Sequence, residues 1–267
     1  MHTPFDRRRF LATLSISAAA FALPACRGDE ASAPADVVAD TVAPLSPPPG
    51  GALAVDAARF PQSVASGDPR PDRVLLWTRV QSAAPTQAVW LQVADAADFS
   101  NVRVQRELAA DAAHDHCLRV RLTDLSPRTT LHYRFVLETP EGWRASPTGR
   151  TRTAPAPQEA VPVRFAFMSC QDYGGRFYNS LLPLLEEDLD FVLHLGDFIY
   201  ETAGDPSFQE AASERRIVFE DQAGAIRLGS DDAPYFAAAS LSNYRQLHRT
   251  FRTDPVLQKL LERAPLV

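Results

Sequence analysis

The hydrophobic pattern of this chain changes near residue 155, and that change constrains the fold more than any other feature. Between Phe60 and Thr153, short apolar runs alternate with polar residues and are separated by turn-forming residues. Beyond the Pro- and Ala-containing segment 154–157, the apolar runs are continuous and are separated by a stretch with helical spacing. Alternating strands are typical of antiparallel sheets, whereas continuous apolar strands with helical crossovers are typical of parallel sheets. The pattern therefore predicts two domains, at residues 58–155 and 160–267.

The first domain is predicted to contain about seven short strands. The clearest lie at 74–80, 88–93, 118–122 and 131–137. This number of strands in a domain of this size is typical of an all-β sandwich of the immunoglobulin or fibronectin type. His114, Asp115 and His116 lie close together between two strands, and we interpret them as residues of a solvated loop, with a metal site as the alternative.

The second domain is predicted to begin as an α/β unit. The predicted elements are a strand at 163–168, a helix at 176–188, a strand at 191–195 and helices at 241–251 and from Asp254 onward. Strand, helix and strand in succession form a unit with parallel pairing. Pro183 interrupts the first helix, and Asp254 followed by Pro255 is typical of a helix start. Residues 201–237 are polar and rich in turn formers, which predicts a long surface loop.

Three side chains in the second domain have the chemistry of metal ligands. Asp197 follows Gly196 at the end of the second apolar strand, Tyr200 lies three residues later, and Cys170 ends the first apolar strand. Ligands of open α/β sheets bind beyond the carboxyl ends of the strands, so parallel pairing would bring Cys170 and Asp197 to one edge. A carboxylate can bridge two hard cations, and thiolate or phenolate binds a metal once deprotonated. The alternative interpretation is that Gly196 and Asp197 form only a turn.

The chain resembles the PhoD family of alkaline phosphatases and phosphodiesterases from about Phe60 to its last residue. The segments that carry the resemblance are 66–69, 74–79, 125–127, 133–135, 167–171, 194–201 and 244–258. The resemblance implies hydrolysis of phosphate esters by metal-activated hydroxide at a centre of Fe3+ and Ca2+. It also implies that Cys170, Asp197 and Tyr200 are ligands of the ferric ion, with Asp197 contacting calcium as well. Leu131 departs from the family pattern, which usually has an aromatic residue there.

A larger departure concerns the remaining ligands of the family. An Asp-Asp-His-Glu-like segment and further Asp, Asn and His ligands would be expected, and none lies within the 267 residues. The sequence therefore predicts the N-terminal part of a metallophosphatase domain, which by itself is an inactive fragment. A different hypothesis is a non-catalytic surface lipoprotein that uses its β-sandwich as a binding module.

The first 25 residues have the pattern of a targeting segment. Arg7, Arg8 and Arg9 precede Phe10-Leu11 and an uncharged run to Ala25, as in a twin-arginine export signal, with an ordinary secretory signal as the alternative. Residues 23–26 resemble a lipoprotein cleavage box with Cys26 as the lipidated residue; the alternative is simple cleavage nearby. Residues 26–57 contain many prolines and are predicted to be a flexible linker.

These features predict where the protein acts and what it contacts. We expect export by the twin-arginine machinery to the periplasm or cell surface, with a lipid anchor in the membrane if Cys26 is acylated. The expected substrate is a phosphate ester. The formal net charge of −6 argues against a general nucleic-acid-binding role, which needs a basic face.

Overall fold

The computed structural model describes residues 46–207, 209 and 214–267, and this part of the chain is mostly β-sheet. The predicted signal segment, Cys26 and the first part of the predicted linker lie outside the described residues. The strands are β1 Ala54–Val55, β2 Val64–Gly67, β3 Val74–Arg79, β4 Thr86–Ala94, β5 Val102–Asp111, β6 Cys117–Leu122, β7 Thr130–Thr139, β8 Gly142–Ala145, β9 Gly149–Arg152, β10 Phe165–Met168, β11 Phe191–His194, β12 Thr202–Ala203, β13 Ala225–Gly229 and β14 Pro234–Ala238. The α-helices are α1 Leu241–Phe251 and α2 Pro255–Arg263, and 3₁₀ helices lie at Ala112–His114 and Asn179–Glu186.

Two sheets share one apolar core in the N-terminal part. One has the order β1-β8-β7-β4-β5, with β9 also paired to β7, and the other has the order β2-β3-β6. The core contains Leu118 and Val120 from the smaller sheet, packed with Tyr133 and Phe135 from the larger one. The alternation noted in the sequence explains this packing, because side chains two residues apart on a strand point to the same face.

The segment predicted as a flexible linker lies against the larger sheet at its described end. The carbonyl oxygen of Pro48 accepts hydrogen bonds from Gln92 Nε2 at 3.2 Å and from Gln105 Nε2 at 2.6 Å. Residues 54–55 then pair with β8 as the parallel strand β1. The structure thus differs from a free linker at these positions, because backbone groups that a linker would leave to water are bound by the sheet.

Strands β10 and β11 are parallel neighbours, as predicted, with Phe165 opposite Phe191 and Met168 opposite His194. The segment between them differs from the prediction. It forms a 3₁₀ helix over Asn179–Glu186 instead of an α-helix over 176–188. Pro183 lies inside it and has no N–H to donate, which disfavours regular α-helical hydrogen bonding.

The last three residues connect the paired strands to the smaller N-terminal sheet. The carbonyl of Pro265 accepts the N–H of Val192 at 2.8 Å, and the N–H of Val267 donates to the carbonyl of Val192 at 2.8 Å. On the other side, the N–H of Leu266 donates to Ser66 at 2.8 Å. Hydrogen bonding is therefore continuous from β10 and β11 to β2, which fixes the position of β11 relative to the N-terminal sheets.

Residues 201–237 contain more structure than the long loop predicted from their polarity. β12, β14 and β13 form a three-stranded antiparallel sheet in that order. The prediction was wrong here because two-residue and five-residue strands carry too short a pattern to recognise, and only pairing stabilises them.

Both α-helices begin where the sequence predicts. Ser240 and Asn243 form a reciprocal cap at the start of α1, and the Asp254 carboxylate accepts the N–H groups of Val256 and Leu257. These interactions satisfy donors that the first helical turn leaves unpaired. Among the described residues, no helix has the length and apolar character needed to cross a bilayer.

Candidate metal centre

The carboxyl ends of β10 and β11 remain paired beyond the strands themselves. The N–H of Leu195 donates to Met168 at 2.8 Å, that of Cys170 donates to Gly196 at 3.1 Å, and that of Gln171 donates to Asp197 at 3.1 Å. The turns that carry Cys170 and Asp197 are thus hydrogen-bonded to each other. Parallel pairing of the two strands brings both residues to one edge of the sheet, as expected.

Cys170 and Asp197 both adopt a left-handed backbone conformation. Their φ angles are 57° and 54°, a region that residues with a Cβ atom seldom occupy. Such conformations persist only where the surrounding structure imposes them, and they cluster at functional sites. Both residues with ligand chemistry at this edge thus share this conformation, which seven other described residues with a Cβ atom also adopt.

The three candidate ligands gather around one carboxylate oxygen. Sγ of Cys170 lies 3.6 Å from Oδ2 of Asp197, and the hydroxyl of Tyr200 donates to the same oxygen at 3.1 Å. Cys170 and Asp197 are exposed, so the cluster is open to solvent. A thiol, a carboxylate and a phenol in mutual contact can present three anionic donors to one cation, and this donor set fits a metal ion.

The cluster depends on the phenol for its third donor. No group of three or more His, Cys, Asp and Glu side chains within the described ranges is arranged to hold a metal ion. The pKa of Tyr200 is raised, first by desolvation and then by its hydrogen bonds with Cys170 and Asp197. The phenol therefore stays protonated near neutral pH unless a cation replaces its proton.

His194 lies at the end of β11, next to this edge. Its imidazole is neutral at neutral pH. Burial lowers its pKa, against the opposing effect of Asp197. Its Nδ1 accepts the N–H of Gly196 at 3.2 Å, and its ring lies 5.1 Å from the ring of Phe198. His194 thus supports the turn that leads to Asp197.

A cluster around Arg215 escaped the sequence analysis. Arg215 is buried and forms an ion pair with the buried carboxylate of Asp254. Its guanidinium also lies over three aromatic rings that follow Cys170 in the chain, namely Tyr173, Phe177 and Tyr178. No local pattern links Arg215 to these residues, since the polar segment around it has no clear period.

The His114-Asp115-His116 segment is not the solvated loop that the sequence suggests. Asp115 accepts hydrogen bonds from Arg79 at 3.1 Å and 3.2 Å and from Arg249 on α1 at 2.9 Å. His116 is buried, and its Nε2 lies 2.8 Å from the carbonyl of Ala84. The prediction failed because the ion-pair partners of Asp115 are 36 and 134 residues away in the sequence.

Comparison with known proteins identifies relatives across both parts of the chain. Residues 46–155 match the family model "PhoD-like phosphatase, N-terminal domain", and residues 165–267 match the model "PhoD-like phosphatase". Alkaline phosphatase D of Bacillus subtilis (strain 168) is 34% identical over 224 residues, which cover 78% of this chain and 35% of that protein. A solved structure of PhoD aligns with a TM-score of 0.64 and 29% identity, covering 81% of this chain and 39% of that one.

The chain therefore spans little more than a third of the length of these relatives. The two matched ranges include the N-terminal sheets and the paired strand ends with Cys170, Asp197 and Tyr200. Two consecutive matches to models of one family, together with both relatives, place this chain in the PhoD-like phosphatase family.

Proposed function

We propose that Cys170, Asp197 and Tyr200 belong to a metal centre for the hydrolysis of phosphate esters, and that residues 26–267 supply only part of its ligands. The observation that carries the proposal is the contact of the thiol and the phenol with one oxygen of Asp197, at 3.6 Å and 3.1 Å. The family to which the chain belongs suggests the activity, and the contacts among the three side chains suggest the metal ligands.

We propose Fe3+ and Ca2+ as the metals. Thiolate and phenolate are soft or strongly donating ligands suited to a transition metal, whereas carboxylate oxygen also suits calcium. Asp197 has two carboxylate oxygens, so it is the residue that can serve both ions. When bound, the metals supply Lewis-acid charge and lower the pKa of water, which makes hydroxide available as a nucleophile at neutral pH.

The residues of this chain have distinct proposed tasks. Cys170 and Tyr200 would bind the ion as thiolate and phenolate, and Asp197 would bind it through a carboxylate oxygen. Because the two turns are joined through backbone hydrogen bonds, the three donors are held near each other before any ion binds. Preorganisation of this kind reduces the cost of ordering ligands at the moment of binding.

Tyr200→Phe tests the ligand assignment. In the protein loaded with ferric iron, a phenolate ligand would give a visible charge-transfer band, and the substitution should abolish it. In a full-length relative of this chain, we expect the equivalent substitution to lower phosphatase activity by roughly ten-fold or more, as for loss of a group that holds the metal. Absorption spectra and hydrolysis of a chromogenic phosphate ester measure both effects. A Tyr200→Phe protein that keeps the band and the bound iron would remove Tyr200 from the ligand set.

A polypeptide made only of residues 26–267 is proposed to bind one ion without turnover. Its described residues offer three candidate ligands at this edge. A site that binds two ions and holds a nucleophile in line with a leaving group needs more ligands than that. With iron and calcium supplied, hydrolysis of a chromogenic phosphate ester should stay at background. Metal-dependent turnover by the purified polypeptide would contradict this proposal.

We also propose the domain arrangement and location that the sequence suggests. Residues 58–155 would form a β-sandwich of the immunoglobulin or fibronectin type, and 160–267 the first part of an α/β metallophosphatase domain. The protein would be exported by the twin-arginine route to the periplasm or cell surface and anchored through a lipid on Cys26. The sharing of one core by the two N-terminal sheets supports the sandwich assignment.

A further inference from the structure

Gln171 joins the two turns that carry the candidate ligands. Its backbone N–H donates to the carbonyl of Asp197 at 3.1 Å, and its side-chain Nε2 donates to the carbonyl of Phe198 at 2.9 Å. Gln171 is itself the residue after Cys170. One buried residue therefore holds consecutive peptide groups of the turn between Asp197 and Tyr200.

The other side of Gln171 is held by the aromatic cluster around Arg215. The hydroxyl of Tyr178 donates to the carbonyl of Gln171 at 3.2 Å, and the Tyr178 ring lies 5.5 Å from the Arg215 guanidinium. Burial is the main cause of a raised pKa at Tyr178, so its hydroxyl remains a donor at neutral pH. A connected path thus runs from the Asp254–Arg215 ion pair through Tyr178 to Gln171.

The backbone conformation at the site explains why such a connection is needed. Cys170 and Asp197 both have positive φ, a strained conformation for residues with a Cβ atom that persists only where surrounding contacts impose it. The backbone N–H of Gln171 holds the peptide directly after Asp197, and its Nε2 holds the next peptide, so the two bonds together oppose relaxation of that turn. Without the Nε2 bond, the carbonyl of Phe198 loses its side-chain donor, and the spacing of Asp197 and Tyr200 relative to Cys170 is less restricted.

We propose that Gln171 is a positioning residue that sets the separation of Cys170 from Asp197 and Tyr200 and thereby the affinity of the site for a metal ion. The inference rests on the proposed function, because it assumes that these three side chains bind a cation. Gln171 itself does not bind the ion. Residues that orient ligands typically change metal affinity by 10–100-fold when they are lost.

The test uses Co2+ as the probe, since cobalt–thiolate contact gives an absorption band that reports on Cys170. All proteins comprise the full chain and carry Cys26→Ser, which removes a thiol that would bind cobalt independently. Gln171→Met keeps approximately the same side-chain shape and removes the donor. Gln258→Met is the matched control, because Gln258 Nε2 also donates to backbone carbonyls, those of Pro61 at 2.8 Å and Arg252 at 2.7 Å.

We expect Gln171→Met to weaken Co2+ binding by roughly ten-fold or more, while Gln258→Met binds like the parent protein. Unfolding in denaturant should show similar losses of stability for the two variants. Equal cobalt affinities, or equal weakening in both variants, would overturn the positioning role. If Gln171→Met does not fold, Gln171→Asn replaces it, since its amide is one methylene short of Phe198 and should weaken binding in the same way.

The same titration separates failure of the inference from failure of the proposed function. Cys170→Ser should remove the thiolate band from the parent protein. A parent protein that gives no band, or a band that survives Cys170→Ser, would contradict the metal centre itself and the inference with it. A Cys170-dependent band combined with unchanged affinity in Gln171→Met would contradict the positioning role alone.

Discussion

At the scale of single residues, Asp254 combines two stabilising roles that the sequence shows only in part. Its position before Pro255 predicts a helix cap, and the carboxylate does accept two N–H groups at 2.9 Å. It also neutralises the buried Arg215, on which the aromatic rings after Cys170 are packed. One buried carboxylate therefore stabilises both a helix start and the surroundings of the candidate ligands.

Asp254→Ala should lower the free energy of unfolding by about 3 to 5 kcal/mol, because it removes one partner of a buried ion pair. Loss of the helix cap accounts for about 1 kcal/mol of this decrease. Denaturant unfolding measures the change. Asp231→Ala is the control, since the Asp231–Arg227 pair is largely exposed and should contribute no more than about 1 kcal/mol. Similar decreases in the free energy of unfolding for the two variants would show that the buried Arg215–Asp254 pair contributes no more to stability than the exposed pair.

At the scale of elements, α1 is attached to the N-terminal sheets by polar contacts. Asp115 lies between Arg79 of β3 and Arg249 of α1, and Arg252 lies 3.9 Å from the ring centre of Trp77. Burial lowers the pKa of Arg252 to about 10, so the guanidinium is charged at neutral pH. The position of helix α1 thus depends on Asp115, which lies between β5 and β6, and on Trp77 of β3.

Asp115→Asn should reduce the free energy of unfolding by roughly 2 to 3 kcal/mol, because two arginines lose an anion in a mostly buried position. Asp95→Asn provides a matched comparison. Asp95 pairs with Arg103 at 2.9 Å, but both side chains are about half exposed, and the expected change is below about 1 kcal/mol. Thermal or denaturant unfolding measures the stability of both variants. A decrease in unfolding free energy for Asp115→Asn no larger than that for Asp95→Asn would contradict the prediction.

At the scale of the whole molecule, the paired strands present one apolar face to solvent among the described residues. Phe165 is 49% exposed and Phe167 is 69% exposed, whereas their neighbours Ala166 and Met168 pack on the core with α2. Exposed aromatic side chains on a strand favour association with other surfaces. A polypeptide limited to these residues is therefore expected to be prone to aggregation.

The proposed export route is also a property of the whole molecule. Replacing Arg7 and Arg8 by Lys should leave the precursor in the cytoplasm, because the twin-arginine route recognises the arginine pair. Cell fractionation measures this. In the exported wild-type protein, mass spectrometry of the mature N-terminus should find lipid on Cys26. Unchanged export of the lysine variant would contradict the route, and an unmodified terminus at another residue would contradict the anchor.

The regular strands and helix starts could be predicted because their causes are local. Alternation at residues 118–122 depends on side chains two apart, and the cap at Asp254 depends on the next three residues. The short strands β12, β13 and β14 could not be predicted, since pairing across tens of residues stabilises them. The solvated-loop prediction for Asp115 failed for the same reason.

The sequence by itself determined which residues have ligand chemistry and that they follow two apolar strands. It placed Cys170, Asp197 and Tyr200 at strand ends, because apolar runs and their polar boundaries are local patterns. Only the tertiary structure decided that the two turns adopt left-handed conformations and are joined through Gln171. Those features depend on parallel pairing of β10 with β11 and on Arg215, and such contacts form only when the chain has folded.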